Sequence, residues 1–296
     1  MKKIFLVGLF LSAVPFAAAL SVATYNVENY LVADRMVENV FRQAYPKPES
    51  EKKALRRVIA GMAVDVLALQ EMGKQPFLDE LQRDLKADGQ DYPYATVLEA
   101  GDPERHVAVL SKIPFKEVHR HASVPITLFG KKDVVKRGVL EVVLRTTEGD
   151  VSIFVVHLKS RRTERKDDPE GRTQRLREAG AVRDLVLARF PDPAKAKFIV
   201  CGDWNDTRSS KPVRALAKRG DTEVGEILRG GDSRSETWTH FYRREDTYSR
   251  IDYIMVSEGL RRFVVGGRLS VYDGPGTSTA SDHRPVSVNL KLDAVK

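Results

Sequence analysis

The feature that most limits what this chain can fold into is a set of short, continuously apolar runs, each closed by a polar residue. Val64-Asp65-Val66-Leu67-Ala68-Leu69 and Ile153-Phe154-Val155-Val156 do not alternate as a half-exposed strand would. Such strands are covered on both faces. Two sheets packed on each other, each with helices on its outer side, meet that requirement within one domain. The expected fold is therefore α/β, a four-layer α/β/β/α sandwich of two packed mixed sheets with outer helices.

Strands are expected at residues 21–30, 64–70, 94–98, 106–111, 138–146, 151–158, 197–202, 250–257 and 286–292. Glu148-Gly149-Asp150 supplies a turn between two of them. Ser50 is read as the N-cap of a helix reaching Met62, with Leu55, Val58, Ile59 and Met62 at helical spacing. A second helix is expected over 77–85, ended by Gly89. A third is expected over 173–190, with Leu176, Ala179, Val182, Leu185, Val186 and Arg189 on or beside its inner face.

Lys2 and Lys3, an uncharged run over 4–19 and Ala17-Ala18-Ala19 have the layout of a secretory signal peptide. The expected division is a signal peptide over 1–19 and one domain over 20–296, exported to the periplasm or the medium. No linker, repeat or low-complexity tract interrupts the sequence after residue 20. The single cysteine, Cys201, cannot form an intrachain disulfide, and after Phe198-Ile199-Val200 it reads as a small buried residue. The formal net charge of +8, or +6 without Lys2 and Lys3, favours polyanionic partners without choosing among them.

Polar groups able to hold a metal or a phosphate recur at the ends of these strands: Asn26 and Glu28, Glu71, His157, Asp203 and Asn205, Asp252, and Asp282 with His283. If neighbouring strands end on one rim of a sandwich, these side chains converge. Their chemistry fits a phosphoester. An anionic ester repels hydroxide, so its hydrolysis needs neutralised oxygens, an activated water and a stabilised leaving group. A hard cation such as Mg²⁺ needs only one or two protein carboxylates for this. One cysteine and scattered histidines lack the local spacing of a zinc site.

In Thr24-Tyr25-Asn26, Leu69-Gln70-Glu71, Val109-Leu110-Ser111-Lys112, His157, Gly202-Asp203-Trp204-Asn205, Ile251-Asp252-Tyr253 and Ser281-Asp282-His283-Arg284-Pro285, the chain resembles the endonuclease/exonuclease/phosphatase superfamily. That superfamily includes pancreatic-type deoxyribonucleases, apurinic endonucleases, inositol polyphosphate phosphatases and bacterial sphingomyelinases. The resemblance implies the same sandwich and these roles. Glu71 would be the principal metal ligand, with Asn26, Asp282 and Glu28 near it, for Mg²⁺ or Mn²⁺, with Ca²⁺ as an alternative. His283 would face the phosphate with Asp252 on its other nitrogen, and Asp203 would orient or deprotonate water. Asn205 and His157 would donate to phosphate oxygens. Which of His283 and Asp203 takes the proton stays open.

Two basic segments flank this set: Lys159, Arg161, Arg162, Arg165 and Lys166, and Lys131, Lys132, Lys136 and Arg137. Arg137, Lys159 and Arg161 are the candidates for phosphate contacts. Trp238 and Tyr242 are candidates to stack on a base, with core packing as the competing role for Trp238. The leading function is a metal-dependent nuclease acting on DNA or RNA. The alternatives are a phosphatase or sphingomyelinase-like phospholipase C, and a polyanion-binding protein without catalysis. Residues 266–280, where a membrane-inserting hairpin would fit, are rich in Gly, Ser and Thr. A monomer without a protein partner or stable membrane association is expected.

Overall fold

Each apolar run forms a strand buried on both sides, and the strands stack as two sheets. The computed structural model describes residues 20–295, so the expected signal peptide lies outside the described residues. In chain order, β1 (Leu20–Tyr30) leads into a hairpin of β2 (Ala33–Val37) and β3 (Val40–Tyr45), then α1 (Glu49–Met62) and β4 (Val66–Met72). Helix α2 (Gln75–Ala87) precedes β5 (Tyr94–Leu98), β6 (His106–Ser111) and β7 (Phe115–His121). A hairpin of β8 (Pro125–Leu128) and β9 (Lys131–Val134) precedes β10 (Val139–Thr146) and β11 (Gly149–His157). Helix α3 (Arg172–Arg189), β12 (Phe198–Asp203) and α4 (Lys211–Ala217) follow.

Four two-residue strands come next: β13 (Lys218–Arg219), β14 (Thr222–Glu223), β15 (Glu226–Ile227) and β16 (Gly230–Gly231). The hairpin of β17 (His240–Tyr242) and β18 (Thr247–Ser249) then leads to β19 (Asp252–Val256) and α5 (Glu258–Arg261). The chain closes with β20 (Leu269–Val271), α6 (Thr277–Ala280) and β21 (Val286–Leu290). The first sheet has the order β16-β20-β21-β1-β4-β6-β5, the second β15-β19-β12-β11-β10-β7. Both are mixed: β1 pairs parallel with β4 and antiparallel with β21, and β12 pairs parallel with β11 and antiparallel with β19.

Strand periodicity sorts the buried side chains into three apolar layers. Val22, Ala68, Val109, Val142, Ile153, Ile199 and Ile254 meet between the sheets. Tyr25, Leu67 and Leu69 pack outward against Leu55 and Ile59 of α1 and Leu78 and Leu81 of α2. Phe154, Phe198 and Val200 pack outward against Val182 and Val186 of α3 and Val213 of α4. This is the expected four-layer sandwich. Cys201 lies buried in the middle layer, where burial pushes its thiol up to about 12 and leaves it inert.

Element boundaries differ from the sequence reading by a residue or two, with two exceptions of substance. The first helix starts at Glu49 after Pro48, so Ser50 sits inside the first turn, where Glu49 and Glu51 favour the helix dipole instead of a side-chain cap. The inner face of α3 is half polar: Gln174, Arg175 and Glu178 are buried beside Ala179, Val182 and Val186, while Leu176 and Leu185 are half-buried and Arg189 is exposed. The buried polar groups brace the basic loop after β11. Glu178 accepts hydrogen bonds from Gln174 Nε2 (2.9 Å) and Lys159 N (2.7 Å), and Arg175 Nε donates to Asp206 (2.9 Å).

Gly202 explains the glycine before Asp203. Its φ is +142°, and a Cβ there would stand 1.8 Å from the carbonyl oxygen of Val156 on the paired strand. Gly202→Ala is expected to destabilise the fold by at least about 2 kcal/mol, read as a lower denaturant midpoint. An unchanged midpoint would contradict this packing.

Candidate active site

The period of two that builds the middle layer also decides which polar side chains enter it. In β1, Leu20 and Val22 face the other sheet, so Thr24 and Asn26 do too; in β4 the same parity carries Val66 and Ala68 on to Gln70. Val155 leads to His157, Cys201 to Asp203, and Ile254 back to Asp252, on strands whose register sets His157, Asp203 and Asp252 abreast. The two sheets meet at this rim: Asn26 Nδ2 donates to Asp203 Oδ2 at 3.1 Å, both groups buried.

Around that contact the backbone leaves its usual range. Glu28, Asn29, Glu71 and Asn205 have φ of 47°, 52°, 59° and 54°, a left-handed conformation that costs a non-glycine residue about 1–3 kcal/mol. The pairing of β4 with β1 and β6 shifts register here, which turns Glu71 toward the rim. Hydrogen bonds hold the distortion: Asn29 N to Glu71 Oε2 (3.0 Å), Glu28 N to Asn26 Oδ1 (3.0 Å) and Asp282 N to Glu28 Oε2 (2.9 Å). Ser281 Oγ donates to Asn26 O (2.8 Å) and accepts from His283 N (3.0 Å), tying the Ser-Asp-His segment to β1.

His283 Nδ1 lies 2.9 Å from Asp252 Oδ2. Because a carboxylate only accepts, Nδ1 carries the proton and Nε2 faces Asp203 Oδ2 at 4.0 Å and Asp282 Oδ1 at 3.9 Å. Burial alone would lower the basicity of His283, but the charges of Asp252, Asp203 and Asp282 outweigh it and hold the ring well above its ordinary range. His157 is the reverse case. Burial and the neighbouring charges of Arg137 and His283 keep it neutral, with Nε2 3.5 Å from Asp203 Oδ2 and Nδ1 lacking a hydrogen-bond partner.

Asp203 accepts from Asn205 N on Oδ1 (2.8 Å) and from the amides of Asn26 and Asn205 on Oδ2 (3.1 Å each). Asn205 Nδ2 also donates to Leu158 O at 3.0 Å. Both hydrogens of its amide are thus engaged within the chain, although Asn205 lines the cavity. Burial and the charge of Asp252 raise Asp203 to about 7, and burial with the charge of Asp282 raises Glu28 to about 7. Carboxylates crowded until they resist ionisation are a fitting host for a hard cation, and Asn26 Oδ1, Glu28, Glu71, Asp203 and Asp282 offer the oxygen donors it prefers.

Glu28, Glu71, Asp203 and Asp282 floor a cavity of about 1110 Å³ whose wall carries Arg105, Arg137, Lys159, Arg161, Arg162, Arg243 and Arg244. Arg137 is buried, with Nε 2.9 Å from Asp102 Oδ2 but off the hydrogen-bonding line, and its Nη1 has no partner. Lys159 Nζ turns back to Ser160 O (3.2 Å) and to Arg162 O. Arg161 is exposed and lies 3.5 Å from Asp206. Of the predicted basic segments, Arg165 is drawn off by Asp167 and Phe129, and Lys131 and Lys132 sit on the β8–β9 hairpin outside the cavity wall.

Several lining residues escaped the sequence reading: Arg105, His240, Arg243, Arg244 and Tyr248. The run His240-Phe241-Tyr242-Arg243-Arg244, aromatic then basic, was the available signal. Tyr242 lines the cavity, whereas Trp238 covers the Arg284 guanidinium at 3.4 Å, with Arg284 Nη1 bonded to Asp232 at 2.8 Å. Trp238 is therefore neither in the apolar core nor in the cavity wall. His240 adds a nitrogen-bearing group beside the oxygen donors. Distant in sequence, His240 and His283 meet at Asp282, with one ligand atom of each of the three residues within 4.8 Å of the others; Asp203, Asp252 and His283 form a second such group.

The sequence model of the Endonuclease/Exonuclease/phosphatase family matches residues 23–283. Sphingomyelinase C from Streptomyces griseocarneus is similar in structure (TM-score 0.65, 21% identity, 92% of this chain and 99% of that one). So are beta toxin from Staphylococcus aureus, solved with bound magnesium ions (0.61, 16%, 92% and 99%), and the catalytic domain of human Nocturnin with bound sulfate (0.62, 18%, 94% and 95%). These likenesses show the fold. No curated protein matches the sequence significantly.

In metal-free protein, Asp252→Asn should lower the titration midpoint of His283 by about 1–3 on the pH scale, read from its ring resonances. An unmoved midpoint would show that Asp252 does not set the charge on His283.

Proposed function

Because the chain belongs to the Endonuclease/Exonuclease/phosphatase family, whose members are generally divalent-metal-dependent phosphoester hydrolases, we propose that it is an exported phosphodiesterase cutting DNA or RNA. The observation that carries this reading is the division of one cavity into an acidic floor and a cationic wall. Seven Arg and Lys side chains around the floor suit a substrate that brings several phosphates, as a nucleic acid does. They would repel the quaternary ammonium of a choline headgroup. Tyr242 and Tyr248 on the β17–β18 hairpin offer faces for unpaired bases. Export rests on the basic, apolar, small-residue layout of residues 1–19.

In this reading Glu71 would hold the cation with Asn26, Glu28 and Asp282. When bound, Mg²⁺, or Mn²⁺ or Ca²⁺ in its place, supplies charge neutralisation at a nonbridging phosphoryl oxygen. The protein's own groups do the rest. Asp252 fixes the tautomer of His283, so the charged ring donates from Nε2 to the phosphoryl group as negative charge builds there. Asp203, steadied by Asn26 and Asn205, accepts a hydrogen bond from the attacking water and aims it. Neutral His157 and the unpartnered nitrogen of Arg137 donate to the remaining oxygens, with Lys159 and Arg161 farther out. Asn205 serves as a positioning residue for Asp203.

One observation favours a second reading, hydrolysis of a lipid phosphodiester. The β2–β3 hairpin leaves Met36, Val40 and Phe41 60%, 48% and 63% exposed. Apolar side chains grouped on one projecting hairpin are the kind that enter a bilayer surface. Residues 266–280 form no such hairpin; they hold β20 and α6.

Glu71→Gln and His283→Ala should each slow hydrolysis by about 10²–10⁴-fold while circular dichroism shows the fold retained, and excess EDTA should stop it. Either variant at the parent rate, or full turnover in EDTA, would refute the centre. Among plasmid DNA, single-stranded DNA, RNA, sphingomyelin and inositol phosphates, release of nucleotides is expected. Phosphocholine alone would move the assignment to the lipid reading.

A further inference from the structure

His240, Asp282 and His283 differ in chemistry from the oxygen-rich floor beside them. Nε2 of His240 lies 3.7 Å from Asp282 Oδ2, and Nε2 of His283 lies 3.9 Å from Asp282 Oδ1. The carboxylate stands between two imidazoles, one oxygen facing each. Each ring's other nitrogen is already engaged: His240 Nδ1 is 3.3 Å from Ser249 Oγ, and His283 Nδ1 is 2.9 Å from Asp252 Oδ2. Engaging Nδ1 is how proteins orient an imidazole so that Nε2 alone is offered to a metal. The backbone supports the pairing, since His240 and His283 form a β-bridge and their rings lie 4.7 Å apart, tilted by 49°.

The geometry points to a binding site for a borderline divalent ion of the Zn²⁺ class, held by Nε2 of His240, Nε2 of His283 and the carboxylate of Asp282. Two imidazoles and one carboxylate suit Zn²⁺ or Co²⁺ with a fourth position open, whereas Mg²⁺ favours oxygen ligands in an octahedron. Metal–ligand bonds of about 2.0–2.2 Å in a tetrahedron place ligand atoms roughly 3.3–3.5 Å apart. The observed 3.7 and 3.9 Å run to the two oxygens of one carboxylate, and one ligand atom of each residue lies within 4.8 Å of the others, so the ion draws the three groups together by up to about 1.5 Å. The consequence rests on the phosphodiesterase reading. An ion here occupies the His283 nitrogen that faces the phosphate and draws Asp282 away from the floor, so Zn²⁺ shuts off an enzyme that Mg²⁺ turns on.

The site is tested on the metal-free full chain with Co²⁺, whose visible absorption reports nitrogen-and-oxygen coordination of low symmetry, and with Zn²⁺ as its competitor. The band should persist in Glu71→Gln, which removes the principal ligand of the oxygen-rich floor. In His240→Ala and His240→Gln, Zn²⁺ affinity should fall by more than about 100-fold, with folding checked by circular dichroism. In the parent itself, Zn²⁺ should shift the ring resonances of His240 and His283 and leave those of His106, His119 and His121 in place. An unchanged band in both His240 variants, or unmoved His240 resonances in the parent, overturns the site. With Mg²⁺ present, Zn²⁺ should inhibit hydrolysis at the concentration that displaces Co²⁺. Binding without inhibition would overturn the masking of His283. Absence of hydrolysis on every substrate would count against the phosphodiesterase reading alone, because the Co²⁺ and resonance measurements need no turnover.

Discussion

One buried hydrogen bond, from Asn26 of the first sheet to Asp203 of the second, joins the two halves of the site across the middle of the sandwich. It exists only because β1 keeps its parity as far as Asn26 and β12 as far as Asp203. A slip of one position in β1 or β12 would turn Asn26 or Asp203 toward the outer helices and place an apolar neighbour at the rim. The apolar layer between the sheets is thus more than a source of stability. Val22, Ile199 and their neighbours set the register that aims the polar ends. Gly202 belongs to the same device, since only a residue without Cβ lets β12 pass so close to Val156 just before Asp203.

The rim collects groups that would avoid one another in water. Glu28 and Asp203 are held so close to other carboxylates, and so far from solvent, that they resist ionising at neutral pH. Glu28, Asn29, Glu71 and Asn205 hold left-handed backbone conformations, fixed by hydrogen bonds to their neighbours. The crowded charge has its resolution in a cation, which the oxygen donors there are suited to take. The cationic wall is kept apart from the acidic floor by its own bracing: Glu178 and Arg175, buried on α3, anchor the loop that carries Lys159 and Arg161.

The sandwich and most of the rim were legible in the sequence because strand periodicity is local and each polar end adjoins an apolar run. Asn26, Glu71, His157, Asp203, Asp252 and His283 could be singled out for that reason. What escaped depends on long-range contact. His240 lies on a three-residue strand with no apolar run before it, and only the fold brings it to Asp282 and His283. A zinc-type grouping was set aside on local spacing for the same cause. The polar inner face of α3 defied a hydrophobic pattern because its first turns serve a loop rather than the core. That the amide of Asn205 steadies Asp203 and bonds to Leu158 was likewise not legible in Gly-Asp-Trp-Asn. The exposed β2–β3 hairpin carries no motif at all.

That separate strand ends gather around a shared cation is most directly tested by growing crystals in Mn²⁺ and locating the ion by its anomalous scattering. The expected peak lies within bonding distance of Glu71, with oxygens of Asn26, Glu28 or Asp282 among its neighbours. A peak found only at surface carboxylates, with none at Glu71, would contradict the convergence of these strands on a metal.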